Sequence, residues 1–341
     1  MTPDQTVPRL PASLGLDQAD PELVESVTNG LIKVEDVLHS VVRSDVDFVN
    51  QAALHLVKAG GKRFRPLFTL LAAQFGAEGV AGDNDDVITA AAAVELVHLA
   101  TLYHDDVMDE ATMRRGTKSV NARWDNAVAI LTGDFLFAHA SRLVADLGSQ
   151  AARIIAETMG QLVTGQIRET VGAGPDDDHV RHYLDVMGQK TGSLIATAGR
   201  FGGMFSRATP EHTEALRRFG DIIGTAFQIS DDIIDIASPA DESGKTPGTD
   251  LREGVKTLPM HYALAQDPDP RLVELLAGPI TDDDAVEEAL TLLRKSSGLE
   301  QAVRTLGDYA DRARTELATL PSCSARDALA MLARYVVART R

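Results

Sequence analysis

Apolar residues recur at intervals of three and four along almost the whole chain, which is the spacing of one face of an α-helix. No segment alternates convincingly with the period of two that a half-buried strand shows. The pattern therefore predicts an all-α fold. The candidate helices cover residues 22–43, 46–59, 66–76, 85–108, 119–146, 149–171, 179–186, 189–206, 210–236, 257–266, 281–296, 299–319 and 324–340.

Irregular segments interrupt this pattern at few places. The prolines and acids of the N-terminus predict a flexible arm over residues 1–21, and no shift of composition divides residues 22–341, which we interpret as a single domain. Two loops stand out, VGAGPDDD at 171–178 and SPADESGKTPGTDLREG at 238–254. Long irregular loops in compact domains are often lids, and the second loop is predicted to be one.

Composition and charge narrow the classes of partner. The 341 residues include 33 Lys and Arg against 50 Asp and Glu, a formal net charge of −17, which disfavours nucleic acid as a partner. The single cysteine, Cys323, excludes an intramolecular disulfide and fits a reducing compartment. The longest apolar stretch, 87–103, is interrupted by Glu95 and His98 and is short for a membrane span. We expect a soluble, cytoplasmic protein without a transmembrane segment.

One acidic pattern, D-D-x-x-D, occurs twice. Carboxylates at positions i and i+4 share one helix face, and such clusters hold hard cations such as Mg²⁺, which bridges carboxylates to phosphates. A single copy in an acidic protein is usually a solvated helix face, but both copies end apolar runs, where like charges are costly without a partner. The two copies therefore predict a diphosphate held between metal ions. Their members are Asp105, Asp106, Asp109, Asp231, Asp232 and Asp235.

The basic residues are clustered as well. The segment GGKRFRP places Lys62, Arg63 and Arg65 around a glycine turn, where backbone N–H groups and guanidinium groups can bind phosphate. Arg114 and Arg115 follow the first acidic motif by a few residues. By itself GGKRFRP is also compatible with an ordinary basic loop.

These segments together carry a family resemblance. GGKRFRP, ELVHLATLYHDDVMDEATMRRG, KTGSLIATAGRFGG and FQISDDIIDI with GKTPGTDLREGVKTLP resemble, in order, the motifs of the trans-isoprenyl diphosphate synthases, most of all the long-chain heptaprenyl, octaprenyl and nonaprenyl diphosphate synthases. The resemblance covers roughly residues 30–340. It implies the isoprenoid synthase fold, a bundle of antiparallel helices around a deep central cavity, and a homodimer.

The resemblance also implies roles for individual residues. The six aspartates would hold up to three Mg²⁺ ions, with Arg114 and Lys190 joining them as catalytic residues. Residues matching the isopentenyl diphosphate site are Lys62, Arg65, His98 and Arg115, and Arg63 of the same basic loop is added to the substrate-binding set. Residues matching the allylic diphosphate site are Arg114, Lys190, Thr191, Gln228 and Lys245. Many relatives read EGKxTLP where this chain has its lysine one position later, so Lys256 enters only as a shifted counterpart.

The implied reaction is the head-to-tail condensation of isopentenyl diphosphate with an allylic prenyl diphosphate, with release of pyrophosphate. The residues one helical turn before Asp105 are Ala100 and Thr101, where short-chain relatives carry aromatic side chains that block the growing tail. Val97 and Leu96 would form the wall further down, with Leu162 or Gln166 facing them. We expect a C35–C50 product, with C40 or C45 favoured, as a quinone side-chain precursor.

Other functions stay open at this point. A C20 or C15 product requires a bulky floor that the sequence does not show. Terpene cyclases share the chemistry but generally lack GGKRFRP and the second D-D-x-x-D. A noncatalytic partner subunit would typically lose acidic motifs, and a phosphohydrolase built on His104 and Asp105 lacks further histidine ligands. A lipid product could also bring the protein to a membrane surface.

Overall fold

The computed structural model describes residues 19–77, 84–237, 247–266 and 269–340. They form almost entirely helix, so the all-α prediction is confirmed. The helices are α1 Pro21–Val41, α2 Asp47–Lys58, α3 Phe64–Ala73, α4 Asp85–Met108, α5 Val120–Arg123, α6 Asn126–Asp146, α7 Ser149–Val171, α8 His179–Met187, α9 Ser193–Phe205, α10 Pro210–Ala237, α11 Thr249–Glu253, α12 Leu258–Gln266, α13 Pro270–Leu275, α14 Asp283–Lys295, α15 Ser297–Ala318 and α16 Ser324–Ala338. A π-helical turn, Gly188–Gly192, lies between α8 and α9, and β1 Met113–Arg114 pairs with β2 Thr117–Lys118.

The chain divides into two compact units. Unit 1 comprises Met1–Met159, Leu194–Arg218 and Thr319–Leu329. Its central helix is α4, which packs against α1, α3 and α6 and is apolar on nearly all sides. A helix that is hydrophobic all round belongs inside a protein. The first acidic motif therefore sits at the end of a buried helix.

Unit 2 comprises Gly160–Ser193, Phe219–Ala318 and Ala330–Arg341. In it α12 packs against α15, α8 and α14. Its core cluster includes Ile236, Leu251, Met260, Leu290 and Leu293. Because Ile236 follows Asp235 directly, this core anchors the end of the second acidic motif.

The predicted helix boundaries are accurate where apolar spacing alone decides them. Residues 85–108 and 149–171 are helical as predicted. The prediction of one helix over 119–146 is wrong: it breaks at Trp124, and Asp125 begins a new helix by accepting a hydrogen bond from the Val128 N–H. The hairpin at 113–118 and the short helices α11 and α13 were also missed.

The predicted N-terminal arm lies largely outside the described residues. The first described helix begins at Pro21, where the carboxylate of Asp20 caps it by accepting from the N–H groups of Glu22 and Leu23. A proline in the first turn and an aspartate cap form a strong helix start. Helix α1 therefore starts at the last residue of the predicted arm, one residue before the predicted helix start at 22.

Two of the described helices, α4 and α6, are long and apolar enough to cross a membrane by length and composition alone. Within the most apolar window of α4, 72% of the residues are buried inside the protein, as in a core helix. In α6 the share is 39%, and Ile130 and Leu131 remain exposed. Helix α6 therefore has an apolar face that the rest of the described chain does not cover.

Candidate active site

The first acidic motif lies at the C-terminal end of α4, in unit 1. Asp106 is completely buried, whereas Asp109 is exposed at the residue that ends the helix. One oxygen of Asp106 accepts a hydrogen bond of 2.6 Å from Arg114 Nε, and Oδ2 is buried without a hydrogen-bond partner among the described residues. Burial raises the pKa of Asp106, against the opposing effect of Arg114. A buried carboxylate oxygen that accepts no hydrogen bond can act as a ligand for a cation.

The hairpin that the sequence did not predict positions the two arginines after this motif. Its turn residues, Arg115 and Gly116, have φ values of 53° and 74°, as a two-residue hairpin turn of type I′ requires. Arg114 on β1 reaches Asp106, and Arg115 Nη1 donates to the carbonyl oxygens of Leu56 and, at a shorter distance, Gly60. The two adjacent arginines therefore bind different partners.

The glycine turn of GGKRFRP fits closely around Arg115. Gly61 has a φ of 147°, and a Cβ atom placed there would come within 2.8 Å of the Arg115 guanidinium carbon. A side chain at this position would both strain the backbone and displace the guanidinium. Gly61 is therefore required for packing as well as for the turn.

Two acids, the buried Glu95 and the partly exposed Glu35, hold Arg63 in place. Its guanidinium donates to Glu35, to Glu95 at 2.9 Å and to the Val57 carbonyl oxygen at 3.0 Å, and only 6% of the residue is exposed. With these partners the guanidinium forms ion pairs with two carboxylates inside unit 1. The structure shows the contacts of Arg63 with the two acids, and the binding of substrate by Arg63 stays a prediction.

Arg65 and His98 lie close together in unit 1, and their surroundings differ from that of Arg63. Arg65 Nε is buried without a hydrogen-bond partner among the described residues, and burial lowers the pKa of Arg65 to about 10. Burial, and next the charge of Arg65, lower the pKa of His98 well below its usual value, so the imidazole is neutral at pH 7. Lys62 is exposed at the start of this loop. An anion would supply the acceptor that Arg65 lacks.

The second acidic motif lies on α10, in unit 2, and its three members have different environments. Asp232 is only 4% exposed, and both of its oxygens accept hydrogen bonds, Oδ2 from Tyr183 Oη and Oδ1 from Gln228 Nε2 at 3.2 Å. Burial raises its pKa to about 7, although both hydrogen bonds act to lower it. Gln228 and Asp232 therefore lie on one helix face, as predicted.

The other two aspartates of this motif face other partners. Asp231 forms an ion pair with Arg339, which follows α16. Asp235 accepts from the backbone N–H groups of Thr249, at 3.2 Å, and Asp250, at 3.3 Å, and so caps α11. Helix α11 belongs to the described part of the predicted lid; residues 238–246 of that segment, with Lys245, lie outside the described residues.

Lys190 and Thr191 occupy the π-helical turn between α8 and α9. Such single turns are rare and occur frequently at functional sites. Lys190 Nζ pairs with Glu169 Oε2 at 2.5 Å, and both Lys190 and Thr191 are partly exposed. A Cβ atom at Gly165 would meet the Lys190 backbone nitrogen at 2.9 Å, so a glycine of α7 lets the turn approach closely.

The remaining predicted site residues differ mainly in how exposed they are. Lys256 is exposed between α11 and α12. The predicted floor residues Val97, Leu96 and Ala100 are completely buried, whereas Thr101 is partly exposed and donates to the His98 carbonyl oxygen at 2.8 Å. Leu162 on α7 is nearly buried and Gln166 is partly exposed.

No group of three or more His, Cys, Asp or Glu side chains converges as a metal cage within the parts of the chain that the structure describes. Each motif forms an ion pair with an arginine, Asp106 with Arg114 and Asp231 with Arg339. The donor set nevertheless fits a hard divalent cation, since each motif offers carboxylate oxygens and Asp106 has one without a donor.

Sequence reasoning missed the residues that contact the predicted site residues within each unit. Glu35 and Glu95 neutralise the basic loop, Tyr183 fixes Asp232, and Arg339 pairs with Asp231. A signal existed for Glu95, because a carboxylate inside an apolar helix needs a cation. Local spacing carries no signal for Tyr183 or Arg339, which are 49 and 108 residues from their partners.

Comparison with known proteins identifies the family. The model of the polyprenyl synthetase family matches residues 46–293. The chain is 55% identical over 335 residues to nonaprenyl diphosphate synthase of Mycobacterium tuberculosis, covering 97% of this chain and 99% of that protein. It is 46% identical to a dimethylallyltranstransferase of the same organism, covering 93% of this chain and 96% of that protein.

A solved structure shows the same fold. Geranylgeranyl pyrophosphate synthase from Corynebacterium glutamicum, crystallised with calcium and isoprenyl diphosphate, superposes with a TM-score of 0.84 at 51% identity, covering 94% of this chain and 98% of that one. The isoprenoid synthase fold is thereby confirmed, and the calcium in that crystal points to the use of a divalent metal in the family. The chain belongs to the polyprenyl synthetase family and is a transferase, as its motifs predicted.

Proposed function

We propose that the protein condenses isopentenyl diphosphate with an allylic prenyl diphosphate, releases pyrophosphate, and repeats the step to make a long-chain all-trans polyprenyl diphosphate of C35–C50, with C40 or C45 favoured. The observation that carries the proposal is that unit 1 contains both a buried carboxylate oxygen, Asp106 Oδ2, and a buried guanidinium donor, Arg65 Nε, each without a hydrogen-bond partner among the described residues. The second acidic motif, in unit 2, adds further carboxylates.

The basic loop supports binding of the isopentenyl diphosphate. Four cations, Lys62, Arg63, Arg65 and Arg115, belong to the loop and hairpin region, and Glu95 faces the arginines. Because the acids fix Arg63 and Arg115, Arg65 and neutral His98 remain to meet the phosphate. A preorganised cluster of this kind binds a diphosphate without first breaking its own contacts.

The aspartates support Mg²⁺ as the cofactor, up to three ions. Mg²⁺ prefers oxygen ligands and phosphate, and when bound it would neutralise the charge that develops on the leaving diphosphate. Asp105, Asp106 and Asp109 would hold it on α4, and Asp231, with Asp232 and Asp235, on α10. Arg114 and Lys190 would orient the allylic diphosphate, and Thr191, Gln228, Lys245 and Lys256 belong to the same predicted set. The lid, residues 238–254, would keep water from the allylic cation.

The side chains of α4 support a long-chain product. Thr101 is partly exposed one turn before Asp105, and its small side chain leaves room for a prenyl tail. The names of the relatives differ, since one makes a nonaprenyl and another a geranylgeranyl diphosphate. The C20 product, and with it C15, therefore remains the alternative, and a noncatalytic regulatory subunit is a less favoured one because both acidic motifs are complete.

The exposed face of α6 supports the homodimer. Ile130 is 43% and Leu131 67% exposed, Ala127 and Ala138 extend the same face, and Asp134 is the exposed charged residue on it. Large apolar side chains that stay exposed on one helix face mark an interaction surface. We place the dimer in the cytoplasm, with its lipid product bringing it to a membrane surface, and we assign it no nucleic-acid partner.

The experiment that tests the function is incubation with labelled isopentenyl diphosphate, Mg²⁺ and a geranyl, farnesyl or geranylgeranyl primer, followed by sizing of the dephosphorylated products. Products of C35 or longer are expected. A stop at C15 or C20 would replace the long-chain proposal by the short-chain one. No product with any primer would favour the regulatory subunit.

A further inference from the structure

Arg339 binds two residues of α10 at once. Its Nη2 donates to Asp231 Oδ1, and its guanidinium carbon lies 4.5 Å from the centroid of the Phe227 ring. Phe227 and Asp231 are four residues apart, so they lie on one face of α10. The side chains of Arg339 and Asp231 are 15% and 27% exposed. An ion pair and a cation–π contact thus hold Arg339 on the second acidic motif.

The contact is incomplete in one respect. Arg339 Nη1 is buried without a hydrogen-bond partner among the described residues. A buried donor without an acceptor carries a cost that a fully bonded structural arginine avoids, as Arg63 does with its three partners. Because of this cost, less free energy is needed to break the contact of Arg339 with Asp231 and Phe227.

A divalent cation at Asp231 would meet Arg339 as a competing charge. Asp231 is a predicted metal ligand, and a guanidinium and a metal ion on one carboxylate repel each other. We propose that Arg339 is a built-in counter-ion of the second acidic motif, which neutralises Asp231 in the metal-free protein and is displaced when a divalent cation binds. This inference rests on the proposed metal site.

The expected effect follows from the exchange. A ligand that must first displace an intramolecular contact binds with an affinity reduced by the fraction of molecules in which the contact is open. A contact made of a partly exposed ion pair and a cation–π interaction is intact in most molecules. Removing it should tighten cation binding at this motif roughly three- to tenfold.

The test is a titration of the substrate-free protein with Mn²⁺, a hard divalent cation, followed by electron paramagnetic resonance of the free ion. Arg339→Gln is compared with Arg334→Gln, which removes the same charge from an exposed position of α16. We expect Arg339→Gln to bind Mn²⁺ at the second motif three- to tenfold more tightly, Arg334→Gln to change by less than twofold, and Arg339→Lys to stay near the wild type. Equal effects of the two glutamine variants, or no tightening, would overturn the inference.

A further variant separates this inference from the proposed function. Asp231→Asn should lose the Mn²⁺ site whose affinity Arg339→Gln changes. If Asp231→Asn binds Mn²⁺ like the wild type, the proposed metal site itself fails. If Asp231→Asn loses the site while Arg339→Gln leaves it unchanged, only the role of Arg339 fails.

Discussion

Tyr183 donates its hydroxyl hydrogen bond to Asp232 inside unit 2, and the carboxyl that receives it has a pKa of about 7. The ordinary value of an aspartate is 3.8, so the folded chain keeps a proton that the unfolded chain has already released between these two pH values. The stability of the metal-free protein should therefore fall as the pH rises from about 4 to about 7.

Asp232→Asn should remove this dependence. In this variant the free energy of unfolding should lose a pH dependence of at most about 1.4 kcal/mol per pH unit. Urea unfolding of the chelator-treated protein at several pH values between 4 and 7.5 measures it. As a control, the exposed Asp308→Asn on α15 should give a curve parallel to that of the wild type. Parallel curves for Asp232→Asn as well would show that this carboxyl titrates normally.

Replacing Asp105 or Asp231 by Ala should abolish turnover and leave the fold intact. Both carboxylates are partly exposed at the ends or faces of stable helices, so the loss concerns ligands rather than packing. A fall in kcat of at least about 100-fold is expected for the loss of electrostatic stabilisation in an active site. Steady-state kinetics measures kcat of each variant, and circular dichroism shows whether the variant is folded. Near-normal rates would refute the metal assignment.

Arg63 and Arg65 should respond differently to substitution. Arg63→Ala removes the nearer cation from the buried Glu95 and leaves it with Arg115 at 3.7 Å, and we expect a loss of about 2 kcal/mol in the free energy of unfolding. Arg65→Lys removes the planar guanidinium but keeps the charge, and should raise the KM for isopentenyl diphosphate about tenfold with a smaller change in kcat.

Thermal melting and steady-state kinetics of both variants provide the test. The assignment requires that Arg65→Lys melts near the wild-type temperature. If its KM for isopentenyl diphosphate is unchanged, the buried donor of Arg65 does not serve the substrate.

Thr101→Phe should shorten the product, because the ring would lie one helical turn before Asp105, where the growing tail is proposed to pass. Ala100 is a poorer position for this test: it is completely buried, and a phenylalanine there would overpack the core. Product sizing with a geranylgeranyl primer measures the effect, and Thr101→Ser serves as the matched control. An unchanged chain length in Thr101→Phe would show that the tail takes another path.

Leu131→Asp should convert the proposed homodimer to a monomer, because it places a charge at the most exposed large apolar side chain of α6. Light scattering coupled to size-exclusion chromatography measures the mass. Val303→Asp, which charges an exposed apolar position on α15, is expected to leave the mass unchanged. A dimeric Leu131→Asp variant would place the interface elsewhere.

The sequence predicted those parts of the protein that depend on periodicity or on motif order. Helix α4 was located to the residue because its apolar run ends at the acidic motif. The hairpin of Arg114 and Arg115 was missed because two-residue strands show no period, and the break at Trp124 was missed because Asp125 was not recognised as a cap. Boundaries set by a single side chain are weak signals.

Within the site, residue type did not reveal the role of neighbouring residues. Arg63 and Arg65 look alike in GGKRFRP, yet one is bound by two acids and the other has a buried donor without a partner. Asp231 and Asp232 are adjacent, yet one is paired with Arg339 and the other with Tyr183. These differences come from long-range packing, which one sequence does not display.

The cap on α11 makes a short stretch of backbone sensitive to the state of Asp235. Five residues are too few to form a stable helix alone, so α11 depends on acceptors for its first N–H groups. A cation that drew the Asp235 carboxylate away would remove those acceptors. Hydrogen exchange at the amides of Thr249 and Asp250 would then report whether the second motif has captured its metal, in a chain that carries no label.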